Sequence, residues 1–90
     1  MANHKSAEKR NRQRIKRRAR NVYRISTLRT YMKRVRKALA AGNVEEAEAV
    51  LPKALSAIGK AASKGAIHRN TAARYASRIA GAVHRARAAG

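Results

Sequence analysis

Hydrophobic residues recur every three or four positions through the first 40 residues of the chain, as they do along one side of an α-helix. They are Ile15, Ala19, Val22, Ile25, Leu28, Met32, Val35 and Leu39. The pattern predicts one long helix over residues 6–41, with Ser6 as its N-cap and Gly42 as its C-terminal stop, and residues 1–5 as a flexible N-terminus. The mean spacing of about 3.4 residues is shorter than a helical turn, which predicts left-handed supercoiled packing against partner helices.

A second helix is predicted over residues 44–62. Asn43 is a favourable N-cap, and Glu46 occupies the capping-box position three residues later. The residues expected to be buried are Ala47, Val50, Leu51, Ala54, Leu55, Ile58, Ala61 and Ala62. Pro52 interrupts this pattern, which predicts either a kink or a helix that begins nearer to Pro52. Gly59 is expected to make this helix the softest of the set.

A third helix is predicted over residues 67–88. Its hydrophobic positions alternate steps of four and three residues and are Ala72, Ala76, Ile79, Val83 and Ala86. The connections around Gly42 and Gly65 are short, which favours antiparallel neighbours, and no alternating pattern predicts a strand. The expected fold is therefore all-α, a three-helix antiparallel bundle forming a single domain over residues 1–90, in which the long, basic first helix extends beyond the bundle.

The charge balance limits the classes of function that this chain can have. The 90 residues include 23 lysines and arginines against four acidic residues, a net charge of +19, and such an excess is typical of proteins that bind a polyanion. Cysteine is absent and all four acidic residues are glutamates, which excludes disulfides, cysteine-based zinc sites and aspartate-dependent catalytic triads. The apolar runs are too short for a membrane span or a signal peptide. We therefore expect no enzymatic activity, no cofactor, no small-molecule substrate and no membrane association.

Positive charge is concentrated in the first helix. Between residues 9 and 20 it comprises Lys9, Arg10, Arg12, Arg14, Lys16, Arg17, Arg18 and Arg20. At about 100° per residue these side chains cover every side of the helix except the sector of Ile15 and Ala19. Such a helix fits a groove surrounded by phosphates, and the alternative is a solvated helix or a disordered tail.

The third helix carries a smaller basic stripe. Arg74, Arg78 and Arg85 project in nearly the same direction, opposite the hydrophobic positions, and the alternative interpretation is an ordinary polar face. Arginine is the commoner of the two basic residues, and its forked guanidinium favours planar contacts to phosphate and stacking on bases. The three glutamates at the start of the second helix are expected to point away from the nucleic acid.

The aromatic and histidine residues have ordinary structural interpretations. Tyr23, Tyr31 and Tyr75 could stack on unpaired bases, but helix packing with an exposed hydroxyl is favoured. The three histidines, His4, His68 and His84, lack the spacing of metal ligands, so no metal site is predicted and a hydrogen bond to phosphate or to a helix end is expected. Two other functional classes remain open at this point. A protein that compacts duplex DNA fits the same composition, whereas a membrane-active cationic helix fits the interrupted apolar faces poorly.

Two segments carry a family resemblance. Residues 1–7 read Met-Ala-Asn-His-Lys-Ser-Ala and are followed by Lys9-Arg10; residues 64–74 read Lys-Gly-Ala-Ile-His-Arg-Asn-Thr-Ala-Ala-Arg and are followed by Ser77-Arg78. With these blocks and the arginine-rich start, nearly the whole chain resembles ribosomal protein twenty of the bacterial small subunit. Ile25, Tyr75 and Ala76 depart from the family pattern, which has basic residues there, and Gly59 stands where an aspartate is usual.

The resemblance implies a three-helix bundle that binds 16S ribosomal RNA directly and early in assembly, bridging RNA helices near the foot of the small subunit. It further implies a cytoplasmic ribosomal location and few or no contacts with other ribosomal proteins. Together with the stripe on the third helix, it gives the expected RNA-binding set: Lys5, Lys9, Arg10, Arg12, Arg14, Lys16, Arg17, Arg18, Arg20, Asn21, Arg24, Arg29, Lys33, Lys64, His68, Arg69, Asn70, Arg74, Ser77, Arg78 and Arg85.

Overall fold

The computed structural model describes residues 2–89, with side chains from residue 6 onward. It contains three helices, α1 (Ala2–Ala40), α2 (Val44–Ser63) and α3 (Arg69–Ala89), and no strand within residues 2–89. The all-α, three-helix prediction is therefore confirmed. The molecule measures 67 × 21 × 15 Å. Its radius of gyration is 17.7 Å, against about 12 Å for a compact chain of this length.

The first helix begins earlier than the sequence pattern predicts. Because α1 already includes Ala2, Ser6 lies inside the helix and is not its N-cap. Neither glycine nor proline occurs between Ala2 and Ser6, so no residue there opposes extension of the helix toward the N-terminus. The predicted flexible segment 1–5 lies outside the residues whose side chains are described.

Glycines in the left-handed conformation end the first two helices. Gly42 and Gly65 both have a φ of +77°. After α1, the Asn43 N–H donates to the Ala38 carbonyl at 2.8 Å and the Gly42 N–H donates to the Leu39 carbonyl at 3.0 Å. The same pair of bonds closes α2 around Gly65. These are Schellman turns, which satisfy the last carbonyls of each helix, and the prediction of Gly42 as the stop of α1 is confirmed.

The second helix is continuous through Pro52. It begins at Val44, as predicted for the helix over residues 44–62, and the alternative of a start nearer to Pro52 is wrong. Its N-terminus is fixed by Asn43, whose Oδ1 accepts from the Glu46 N–H at 3.2 Å, as predicted for the cap. Ala47 and Ala54 are completely buried on either side of Pro52. This packing holds the helix together where proline removes one backbone donor.

The core is small and rich in alanine. Its buried members are Leu28, Met32, Val35, Ala38, Ala47, Ala54, Ala57, Ile58, Ala61, Ala72, Ile79 and Val83. α2 lies at the centre, packed extensively on α1 and less on α3, whereas α1 and α3 make little contact with each other. Alanines let the helices approach closely but bury little apolar surface each, so the bundle depends on its few large residues.

Only the second half of the hydrophobic seam of α1, the row of hydrophobic residues from Ile15 to Leu39, is buried in the bundle. Ile15 and Val22 remain 60% and 56% exposed, and Ala19 is exposed as well. Leu28 is thirteen positions after Ile15, which at about 100° per residue puts Ile15 roughly 140° away from the core face. The prediction that the whole seam packs against helical partners is therefore wrong for this half, because the spacing rotates the seam away from the bundle.

Candidate nucleic-acid interface

The N-terminal part of α1 forms an arm that extends beyond the bundle. We call residues 6–20 the arm: every side chain in it is exposed, and it accounts for about 22 Å of helix. The eight basic residues predicted between Lys9 and Arg20 all lie on it. On the side that is buried farther along α1, the arm carries Arg10, Arg14 and Arg17 instead of apolar residues. The arm is therefore positively charged on the side that would otherwise face a protein core.

The base of the arm meets the end of α2. Asn21 and Arg24 are half-buried there, and the Arg24 guanidinium donates to the Asn21 side-chain oxygen at 3.5 Å. Lys60 comes from α2 to line an open notch of about 510 Å³. The complete lining of this notch is Ala19, Arg20, Tyr23, Arg24, Thr27, Ala57 and Lys60. Lys60 was not among the predicted residues, although antiparallel pairing of α1 and α2 would have brought it here.

A second cluster surrounds the N-terminus of α3. The Asn70 N–H donates to His68 Nδ1 at 3.1 Å, so this ring nitrogen is an acceptor and Nε2 holds the proton. The expectation of a hydrogen bond between a histidine and a helix end is confirmed at His68. Lys64, Arg69 and Asn70 are exposed around the same terminus. Free N–H groups and the positive end of the helix dipole add to these side chains, so the cluster is suited to a phosphate.

The two clusters lie at the same end of the bundle. Since α2 runs antiparallel to α1, its last residues lie beside the base of the arm, and the connection to α3 follows directly. Three of the four acidic residues lie at the other end: Glu45 and Glu46 are in the first turn of α2, and Glu48 pairs with Arg87 at 3.5 Å. The bundle therefore has a basic end and an acidic end, as expected from the position of the glutamates in the sequence.

The basic stripe of α3 continues along the bundle. Arg74, Ser77, Arg78 and Arg85 are all exposed. Arg29 and Lys33 of α1 are exposed as well and line a groove of about 270 Å³ that also includes Met32, Arg36 and Tyr75. Arg36 was missed by the sequence analysis, although it follows Arg29 and Lys33 on one side of α1. Of the predicted set, the side chain of Lys5 alone lies outside the described residues.

The tyrosines divide into two groups. Tyr31 and Tyr75 are half-buried against the core, and the Arg34 guanidinium lies 5.6 Å from the centre of the Tyr31 ring. Packing is therefore confirmed for these two. Tyr23 is 72% exposed at the base of the arm, so the packing interpretation is wrong for it. Ala57 and Lys60 of α2 line the same notch as Tyr23, but they leave most of its ring uncovered.

The described part of the chain contains neither a helix that could span a membrane nor a metal-binding cluster. None of its helices is long and apolar enough to cross a membrane. Among the described residues, no three side chains of histidine, cysteine, aspartate or glutamate come together as a metal site would require.

A small helical bundle with an exposed basic arm and a basic helix terminus beside it has the features expected of the class of nucleic-acid-binding proteins. Residues 2–84 match the family model described as ribosomal protein S20. The chain is 56% identical over 79 residues to the small ribosomal subunit protein bS20 of Syntrophotalea carbinolica, covering 88% of this chain and 91% of the relative. The bS20 protein of Anaeromyxobacter dehalogenans is 51% identical over 89 residues, covering 99% and 97% of the two chains. That of Nitrosomonas europaea is 54% identical over 83 residues, covering 92% and 95%.

The chain belongs to the ribosomal protein S20 family. This is a family of structural ribosomal proteins and not of enzymes. The resemblance noted from the two sequence segments is thereby confirmed, and it extends over most of the chain.

Proposed function

We propose that this protein is a structural component of the small ribosomal subunit that binds 16S ribosomal RNA directly and holds RNA helices together during assembly. It works in the cytoplasm, within the ribosome, and makes few or no contacts with other proteins there. The observation that carries the proposal is the arm, in which residues 6–20 expose all their side chains and eight of them are basic. Membership of the ribosomal protein S20 family supports it independently.

The mechanism is neutralisation of phosphates from more than one direction. RNA helices repel one another through their phosphate backbones. A basic side chain between them reduces the free-energy cost of bringing them together and releases condensed counterions. The arm has basic residues on opposite sides, so one RNA segment can lie against each side. The cluster of Lys64, His68, Arg69 and Asn70 supplies a separate contact at the basic end of the bundle.

Recognition rests on the shape and backbone of the RNA. Side chains do not reach the base edges in the deep major groove of an A-form helix, and the basic residues of the arm suit phosphate contacts. Specificity for 16S ribosomal RNA would then arise from the spacing of RNA segments that meet the arm and the α3 terminus together.

The test is equilibrium binding of the full chain to 16S ribosomal RNA, to an unrelated folded RNA of equal length and to duplex DNA. Salt is raised from about 0.1 to 0.5 M, because nonspecific phosphate contacts weaken steeply over that range. The proposal expects tight binding to the ribosomal RNA alone at the highest salt. Equal loss of binding to all three would contradict it and favour a protein that compacts nucleic acid without selectivity.

A further inference from the structure

The notch at the base of the arm has an apolar floor. Ala19 and Ala57 contribute only methyl groups to it, and the core residue Ala57 is 9% exposed. The hydroxyl of Thr27 donates to the Tyr23 carbonyl at 2.8 Å, so its hydrogen is already used. The notch has a volume of about 510 Å³, and its floor is therefore suited to a flat apolar group and not to a strongly polar one.

The rim of the notch is positively charged. Arg20, Arg24 and Lys60 line it, and the described residues of the lining include no acid. Arg24 is held by its hydrogen bond to Asn21, which restricts the orientation of its guanidinium. A ligand that fills this notch would combine a flat apolar part with negative charge at its edges.

Tyr23 supplies an aromatic platform beside that rim. Its ring is 72% exposed, whereas Tyr31 and Tyr75 are packed against the core. Stacking of a base on an aromatic side chain tolerates any of the four bases, because each has a π-face. An exposed ring flanked by cations is the arrangement by which proteins hold unpaired nucleotides.

We propose that the notch binds one unpaired nucleotide of an RNA, with its base stacked on Tyr23 and its flanking phosphates held by Arg20 and Lys60. This inference rests on the proposed function, and it adds a single-nucleotide site to an interface otherwise made of backbone contacts. The notch is continuous with the arm through Arg20, so a strand that leaves the notch runs directly onto the basic helix. That continuity favours a nucleotide within an RNA over a free mononucleotide.

The experiment compares two RNA hairpins that differ by one bulged adenosine in the middle of the stem. Replacing Tyr23 with leucine should weaken binding of the full chain to the bulged hairpin about 10-fold and leave binding to the fully paired hairpin within about twofold. Tyr23→Phe should retain the affinity for the bulged hairpin, because the ring is kept. Tyr23 is exposed, so these replacements leave the core intact, and far-ultraviolet circular dichroism checks this.

A second variant blocks the notch without changing charge. Ala19→Leu places a larger side chain on its floor and should reduce affinity for the bulged hairpin as Tyr23→Leu does. Ala49→Leu, at an exposed position in the first half of α2, is the matched control and should change neither affinity. Equal losses of affinity for both hairpins with Tyr23→Leu, or no loss of affinity with Ala19→Leu, would overturn this inference and leave the proposed function standing. If the unmodified protein binds a DNA hairpin as tightly as both RNA hairpins, the proposed function fails and the inference fails with it.

Discussion

The two halves of α1 belong to one uninterrupted helix but face different surroundings. From Leu28 to Ala38 the helix buries a side chain at every turn, and Leu28 and Val35 are completely inaccessible. In the arm no side chain is even half-buried, although Ile15 is as hydrophobic as the core residues. The difference is one of direction: the face that packs in the bundle is continued in the arm by arginines.

The buried residues of the bundle stabilise the protein, whereas the arm is the part that we propose binds RNA. Burial of a few large residues holds α1 against α2, and nothing in the arm adds to that core. The arm instead has a charge density that favours a polyanion and opposes its own compaction. Mutations in the bundle half of α1 should therefore lower the free energy of unfolding, and mutations in the arm should lower the affinity for RNA.

The largest expected effect on stability is in the bundle half. Leu28→Ala should lower the free energy of unfolding by about 3 kcal/mol, because it removes a fully buried side chain from a thin core. Ile15→Ala in the arm should change it by less than about 0.5 kcal/mol, as expected for an exposed site. Urea unfolding followed by circular dichroism measures both. Similar losses for the two variants would mean that the arm is packed against the protein in solution.

The largest expected effect on binding is in the arm. Reversing Arg17, Arg18 and Arg20 to glutamate should weaken binding to 16S ribosomal RNA at least about 100-fold, since three phosphate contacts become repulsive. Far-ultraviolet circular dichroism should still detect the helices of the bundle. Filter binding or fluorescence anisotropy gives the affinity.

A control for this variant changes the net charge equally. Arg34, Lys37 and Lys53 lie away from the arm, and reversing them to glutamate should weaken binding far less. Comparable losses for the two triple variants would show that total charge, and not the arm, determines affinity.

A smaller effect should raise stability without touching the interface. Gly59 is exposed in α2, and a Cβ added there would meet no other atom within 4 Å. Gly59→Ala should therefore raise the free energy of unfolding by about 0.5 to 1 kcal/mol, because alanine loses less conformational entropy in a helix. Thermal unfolding measures the gain, and RNA affinity should stay the same. A decrease in stability would indicate that Gly59 meets a constraint absent from the described structure.

Sequence alone anticipated the helices because their ends have local chemical causes. Gly42 and Asn43 specify the end of one helix and the start of the next through their own hydrogen bonds, so neighbouring residues were sufficient. The start at Ala2 was missed because Ser6 has the chemistry of an N-cap, whereas α1 continues past it toward the N-terminus. Continuity through Pro52 depends on burial of Ala47 and Ala54 against other helices, which no local pattern reveals.

The basic residues of the candidate site could also be predicted from the sequence. Their exposure on the arm does not depend on packing against another helix. The sequence did not reveal which side chains from different helices lie next to each other. The notch exists because Lys60 of α2 returns beside Arg20, and the exposure of Tyr23 follows from where α2 ends. Both depend on the length and direction of the neighbouring helix.

We propose the arm as the principal RNA-binding region of this protein. Amide hydrogen exchange along α1, with and without 16S ribosomal RNA, tests it most directly. Residues 6–20 should exchange rapidly in the free protein and become strongly protected on the RNA, while Leu28 to Ala38 should be protected to the same extent in both states. Protection that appears only in the bundle, with the arm unchanged, would contradict the account.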